Sequence, residues 1–242
     1  MTGLLELAHV SKSFSGLRAV EDVSFAVPEG RIVGLIGPNG AGKTTCFNVV
    51  AGVYRPDAGE VRFAGQRIDG WRPDQICRAG VGRTFQLVKP FIGLSVMENV
   101  IVGALNACAS VREAKEKSAQ VIEQLGLAAK RDQMASSLTL PERKRLEVAR
   151  ALAADPKLLL LDEVMAGLRP AETDRMVAIL TKLNRESGLT ILLIEHVMRA
   201  VMALAARVLV LHHGAAIAEG APDAVVREPA VVQSYLGAEA VD

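Results

Sequence analysis

The sequence predicts an α/β fold with a mostly parallel core sheet and a helical insertion in its middle. Three observations predict it. First, a short apolar strand from Arg31 to Gly37 (RIVGLIG) runs into a glycine-rich stretch and then a helical pattern. Second, two continuous apolar runs, Leu158–Asp162 (LLLLD) and Leu189–Ile194 (LTILLI), have the composition of strands buried on both faces, and helical spacing follows each. Third, residues 87–154 have helical texture throughout. Strand–helix–strand alternation implies parallel order, since parallel neighbours need a crossover between them.

The elements follow in order. Residues 4–10 alternate as a strand, and 18–27 read as strands around a turn at Glu21-Asp22. Pro28-Glu29-Gly30 is a turn. A helix is expected from Lys43 to Ala51, then a hairpin over Gly59–Ile68 with Ala64-Gly65 near its turn. Within the insertion, Val111, Ala114, Ser118, Val121, Ile122 and Leu125 form one apolar stripe that Gly126 stops. A second helix runs from Pro141 to Ala153 and ends at Asp155-Pro156. Met176, Ile179, Leu180 and Leu183 stripe a helix after the first apolar run. A helix across Val197–Ala206 follows the second, and Val208–His212 with Ala215–Glu219 reads as a terminal hairpin.

Composition bounds the function. In 242 residues, 50% are hydrophobic and only 4% aromatic, so the core is expected to be filled by Ala, Val, Leu and Ile. The net charge of +1 gives no electrostatic argument for nucleic acid as a partner. Cys46, Cys77 and Cys108 are odd in number, widely spread and without metal-ligand spacing, so they are expected to be reduced thiols. The N-terminus lacks the pattern of a signal peptide. No stretch reaches the roughly 18 uncharged apolar residues of a membrane helix; the nearest, Ala200–Ala218, is broken by Arg207, His212 and His213.

Two motifs carry chemistry. Gly37-Pro38-Asn39-Gly40-Ala41-Gly42-Lys43-Thr44 fits G-x-x-x-x-G-K-[ST] in full, with a strand before it and a helix after. The glycines let successive N–H groups point at phosphate oxygens, and the helix offers its positive end. Lys43 is expected to reach the β- and γ-phosphates, Thr44 to ligate Mg²⁺, and the neighbouring Thr45 to share in nucleotide binding. Alone, the loop says only that a nucleoside triphosphate binds. Asp162-Glu163 then close the run of leucines. A buried strand delivering an aspartate at its C-terminal end suits a second Mg²⁺ contact, and Glu163 suits a general base acting on water.

With these in place the chain resembles the ATP-binding cassette family over essentially its whole length. The resemblance implies a P-loop NTPase fold with an antiparallel β subdomain and an inserted helical subdomain. Residues 1–86 with 155–242 would form the ATP-binding core and 87–154 the helical signature part of one domain. It identifies Gln86 with the glutamine that touches Mg²⁺ and the attacking water, His196 with the switch histidine at the γ-phosphate, and Phe14 with the aromatic that stacks on adenine. Arg83-Thr84-Phe85-Gln86, Arg145-Leu146-Glu147-Val148-Ala149-Arg150, Ile194-Glu195-His196 and Tyr235-Leu236-Gly237 are most similar to ATPase subunits of branched-chain amino acid importers. Cassettes for urea, short amides or lipopolysaccharide export share much of this.

The resemblance implies ATP with Mg²⁺, a homodimer or a heterodimer with a second cassette, and membrane permease subunits. It also implies an indirect link to a periplasmic or extracellular solute-binding protein, and a place on the cytoplasmic face of the membrane. Phe91 and Leu94, near Gln86, would meet a docked helix. The rival is a soluble nucleotide switch acting on ribosomes or DNA; such proteins usually carry tandem cassettes or long coiled coils, and this chain shows neither. A third reading, motivated by Leu140-Pro141 and Arg169, is an ATP-binding regulator with little turnover.

Three departures stand out. The signature, typically LSGGQ, falls on Leu138-Thr139-Leu140-Pro141-Glu142. Pro141 lacks an N–H, and Thr139-x-x-Glu142 reads as a capping box. The expectation is that Thr139 caps its helix and still faces the partner's ATP. Val164 stands where proline is usual, and Arg169 where an aspartate that couples the two sites is common.

Overall fold

In the computed structural model of the chain, residues 3–85 and 89–239 are described, with side chains as far as Tyr235. The chain opens with two long antiparallel strands, β1 (Leu5–Phe14) and β2 (Leu17–Val27), then β3 (Ile32–Ile36) and α1 (Lys43–Val50). A short hairpin follows, β4 (Ala58–Phe63) and β5 (Gln66–Arg67), turning at Ala64 (φ 49°) and Gly65 (φ 78°). Next come α2 (Pro73–Ala79) and β6 (Val81–Arg83), and then the helices α3 (Val96–Ala104), α4 (Val111–Gln124) and α5 (Leu140–Ala153). The remaining elements are β7 (Leu158–Asp162), α6 (Pro170–Ser187), β8 (Thr190–Ile194), α7 (Met198–Leu204), β9 (Arg207–His212), β10 (Ala215–Gly220), α8 (Pro222–Val225) and α9 (Pro229–Glu239).

Two sheets result. The smaller has the order β2-β1-β4-β5 and is antiparallel. The larger has the order β10-β9-β3-β8-β7-β6, parallel except for the edge strand β10. All five residues of β3, β7 and β8 are buried, as the unbroken apolar runs require. One core lies between the two sheets around α1, whose Phe47 is fully buried. A second lies on the other face of the large sheet, against α5, α6 and α7. Burying one Phe or Leu there contributes about 1.5–3 kcal/mol.

The sequence reading holds for the hairpins and for most of the parallel sheet, and fails at Glu21-Asp22. That pair is not a turn. The strand β2 runs through it, and Asp22 takes φ 51° as the β1–β2 register shifts near Val10↔Val23. Ser11 Oγ accepts the Asp22 N–H at 2.9 Å, so the irregularity is a bulge fixed by a side chain across the strand. The end of α1 and most other element ends move by one or two residues, as fraying termini do, while β1 runs on from the expected end at residue 10 to Phe14. Among the described residues four elements are not anticipated. α2 starts at a proline and ends at Gly80 (φ 109°), β6 is three residues with a central glycine, α8 is a four-residue helix starting at Pro222, and α9 has no apolar stripe to reveal it.

The stripe on α4 is as expected: Ala114, Ser118, Val121 and Ile122 face inward, and Gly126 (φ 63°) follows the helix end. On α6 Met176, Leu180 and Leu183 are buried, with Ile179 packed beside them.

Candidate functional site

The strands β3, β7 and β8 are neighbours in the large sheet, so their C-terminal ends open on one edge. That edge is where ligands bind in open α/β sheets. The loop after β3 is the glycine-rich one. Gly37 has φ 146°, and a Cβ there would stand 2.1 Å from the Leu211 carbonyl oxygen. Gly42 has φ 99°, and a Cβ would stand 2.3 Å from the Ala19 carbonyl oxygen. Both positions therefore exclude any side chain on backbone and on space. Gly42 passes directly into α1, so the N-terminus of that helix faces the loop's interior.

Lys43 is buried, and its ammonium donates to the carbonyls of Gly37 at 2.7 Å and Pro38 at 2.8 Å. Burial lowers its pKa, with Glu163 and Asp162 opposing. A cleft of about 520 Å³ opens above the loop, lined by Asn39–Thr45, Leu17–Ala19, Glu163, His196 and His213. A smaller groove elsewhere, of about 440 Å³ and bounded by Lys117, Asp155 and Ser187, holds none of the motif residues.

Glu163 follows β7 with φ 51°, a left-handed conformation that costs a non-glycine residue of order 1 kcal/mol. Its Oε1 lies 2.7 Å from His196 Nε2, so residues 33 positions apart meet at the cleft. Asp162 is 1% exposed, and among the described residues neither carboxylate oxygen has a hydrogen-bond partner. The Arg83 guanidinium lies 3.5 Å away, an ion pair longer than a good hydrogen bond. Burial raises the Asp162 pKa, and Arg83 offsets part of the rise. A buried carboxylate left this way suits a cation, so the donor set of Asp162 and the Thr44 hydroxyl fits magnesium chemically.

The other candidates stand apart. Gln86 lies outside the described residues. Phe14 is 37% exposed at the end of β1, and its ring packs edge-on against Tyr54 with centroids 4.9 Å apart. It does not line the cleft; the wall there is Leu17, Arg18 and Ala19. Thr139 is the N-cap of α5, its N–H and hydroxyl donating to the Glu142 carboxylate at 2.8 and 2.9 Å. The capping half of the expectation is therefore seen. Thr139 lies in a separate small pocket with Pro141, Arg145 and Leu168, away from its own chain's cleft.

Several groups around the site have no role in the sequence reading, although Glu195 and Tyr235 lie in segments that carry the resemblance. His213 lines the cleft at φ 47°, beside Gly214. The Tyr235 phenol faces the Gly37 backbone, which opposes the rise in pKa that burial brings. Glu195 is 1% exposed and accepts the Met165 N–H at 2.8 Å, and burial pushes its pKa up to about 7. Lys144, 4% exposed on α5, donates to the Glu163 carbonyl at 2.8 Å. Only the last two carried a signal: a charged residue on an otherwise buried face.

Comparisons with known proteins agree with this geometry. The family model described as ABC transporter matches residues 20–166, and one described as branched-chain amino acid ATP-binding cassette transporter matches residues 217–241. The chain is 39% identical to the high-affinity branched-chain amino acid transport ATP-binding protein BraF of Pseudomonas aeruginosa, over 97% of this chain and 98% of that one. It is 37% identical to the lipopolysaccharide export system ATP-binding protein LptB of Escherichia coli, over 96% and 97% respectively. Among solved structures, the ADP conformation of an ATP-binding cassette of an ABC transporter superposes with a TM-score of 0.89 at 30% identity, covering 98% of this chain and 100% of that one. The chain belongs to the ATP-binding cassette family of ABC transporters.

Proposed function

We propose that this chain is the ATP-hydrolysing subunit of an importer for branched-chain or related amino acids, and that it drives separate membrane subunits. One observation carries the catalytic half of this reading. The phosphate loop, the Glu163–His196 pair and the cation-hungry Asp162 converge on a single sheet edge. The solute rests on similarity: the 217–241 match and the full-length likeness to a branched-chain amino acid transport protein.

In this mechanism residues 37–45 wrap the phosphates with backbone N–H groups. Lys43 exchanges its carbonyl partners for the β- and γ-phosphates, and the N-terminus of α1 adds its dipole. Thr44, Asp162 and Gln86 would hold magnesium, which neutralises phosphate charge when bound. Glu163 orients the attacking water, and His196 holds the Glu163 carboxylate until the γ-phosphate arrives. Positioning and charge, rather than covalent chemistry, then lower the barrier. Residues 87–154 act as the helical part of the domain and present Thr139 and the start of α5 to the ATP of a second cassette, identical or not.

Among the described residues no helix is long and apolar enough to cross a membrane. Phe85 and Val102 are exposed in one groove between β6, α3 and α5, with exposed Phe91 against Arg150 at its edge, which suits a docked helix of a membrane subunit on the cytoplasmic side. A solute-binding protein would act through those subunits. The test is uptake of labelled leucine by cells with and without the chain, together with identification of the membrane subunits that co-purify with it. Lost uptake and co-purified permease subunits support the reading. Unchanged uptake with failed lipopolysaccharide export would shift it to the export function borne by the other relative.

A further inference from the structure

Glu163 sits on a backbone that ordinary residues avoid. Such a conformation persists only where its surroundings over-determine it. Four hydrogen bonds do so here. The Glu163 N–H donates to the Ile194 carbonyl at 2.9 Å. The Glu163 carbonyl accepts from the Ala166 N–H at 3.2 Å and from the Lys144 ammonium at 2.8 Å. Two residues on, the Met165 N–H is held by the Glu195 carboxylate at 2.8 Å. Three of these bonds come from within the loop or from the neighbouring strand end. The Lys144 bond alone comes from α5, the helix whose first turn is the 138–142 segment.

A lysine buried to 4% exposure is costly to keep. A lysine on the surface of α5 would cap nothing and cost nothing. This one points its charge at the carbonyl of the residue that carries the water-orienting carboxylate.

We propose that Lys144 is a positioning residue for ATP hydrolysis, holding the Glu163 carbonyl so that the Glu163 carboxylate keeps its aim. The proposal rests on the reading of Glu163 as the residue that orients water. The conformation at φ 51° sets the direction of the Glu163 side chain, and a shift there moves the carboxylate relative to the γ-phosphate position. Misplacement by about 1 Å costs up to roughly 100-fold in rate. Arg169, where a coupling aspartate is common, leaves this link from α5 as a physical tie between a chain's own base and the segment it lends to its partner.

The experiment compares wild type, Lys144→Met, Lys144→Arg and Glu163→Gln as full-length chains co-purified with their membrane subunits. It measures kcat for ATP hydrolysis and, separately, the affinity for a fluorescent ATP analogue, which also counts folded sites. Lys144→Met fills the same volume without the charge. It is expected to lower kcat per ATP-binding site about 10- to 100-fold with nearly unchanged analogue affinity, and Lys144→Arg is expected to recover part of the loss. A merely structural lysine would lower the number of binding sites and leave kcat per site intact, and that result overturns the proposal. Should Lys144→Met fail to fold, Lys144→Arg is read alone: a wild-type kcat per site together with an unchanged pH profile overturns the proposal. If Glu163→Gln itself turns over ATP normally, the reading of Glu163 is what fails. If Glu163→Gln is dead and Lys144→Met is normal, the Lys144 proposal fails alone.

Discussion

Glu195 offers a thermodynamic test that needs neither nucleotide nor partner. It is 1% exposed, its Oε2 has no hydrogen-bond partner, and burial pushes its pKa from 4.5 up to about 7, with Glu163 adding to the rise and Lys144 and the Met165 and His196 backbone opposing it. Below pH 4.5 the carboxyl is protonated in both folded and unfolded chains and costs nothing. Between 4.5 and 7 only the unfolded chain ionises, so this group lowers stability as the pH rises. Above 7 the penalty is constant. At about 1.4 kcal/mol per pH unit between the two values, it reaches about 3 kcal/mol. Glu195→Gln keeps an oxygen for the Met165 N–H and removes the ionisation. Urea unfolding of both proteins between pH 4.5 and 8 measures the difference. The Gln variant is expected to gain about 3 kcal/mol on wild type across that range. Parallel stability curves would show that Glu195 ionises as freely folded as unfolded, and would refute the reasoning from burial.

Three further outcomes follow from the same structure. Lys43→Met, which removes the charge but keeps the stem, is expected to weaken binding of a fluorescent ATP analogue by at least about tenfold; retained affinity would mean the loop grips phosphate through backbone alone. Thr139→Ala removes the hydroxyl that bonds Glu142 and is expected to cost about 1 kcal/mol in thermal unfolding, while raising the ATP concentration needed for half-maximal turnover. Unchanged turnover would leave Thr139 as a cap only. Cys46 is buried, with its thiol pushed up to about 12, so alkylation at pH 8 is expected to spare it in the native protein and reach it after unfolding, as mass spectrometry of digests would show.

How much of this was legible in the sequence follows from what each residue has to do. The phosphate loop could be read because two glycines, Gly37 and Gly42, occupy backbone where no other residue fits, and Lys43 and Thr44 follow at fixed offsets. The strands β7 and β8 could be read because burial on both faces demands unbroken apolar runs. His196 is legible through family resemblance and Glu163 through its place after the apolar run, but not their pairing, which takes the adjacency of β7 and β8. Lys144 and Glu195 were not legible as partners of Glu163 and Met165. Each acts on a backbone atom, which leaves no trace in residue type at the receiving end. The bulge at Asp22 was mistaken for a turn because a left-handed aspartate suits both, and only the bond to Ser11 across the strand decides between them. Phe14 illustrates the limit of a motif: its position along the chain matched, yet its ring rests on Tyr54 beside the cleft.

In the proposed mechanism the loop after β3 and the carboxylates after β7 form one hydrolytic site. Mg²⁺-dependent ATP hydrolysis by wild type and Glu163→Gln, measured beside ATP binding on the same preparations, tests it most directly. Wild type is expected to hydrolyse ATP, chelating Mg²⁺ to stop it, and Glu163→Gln to bind ATP with turnover reduced at least about 100-fold. Turnover by Glu163→Gln at the wild-type rate, or none by wild type even with its membrane subunits, would contradict it.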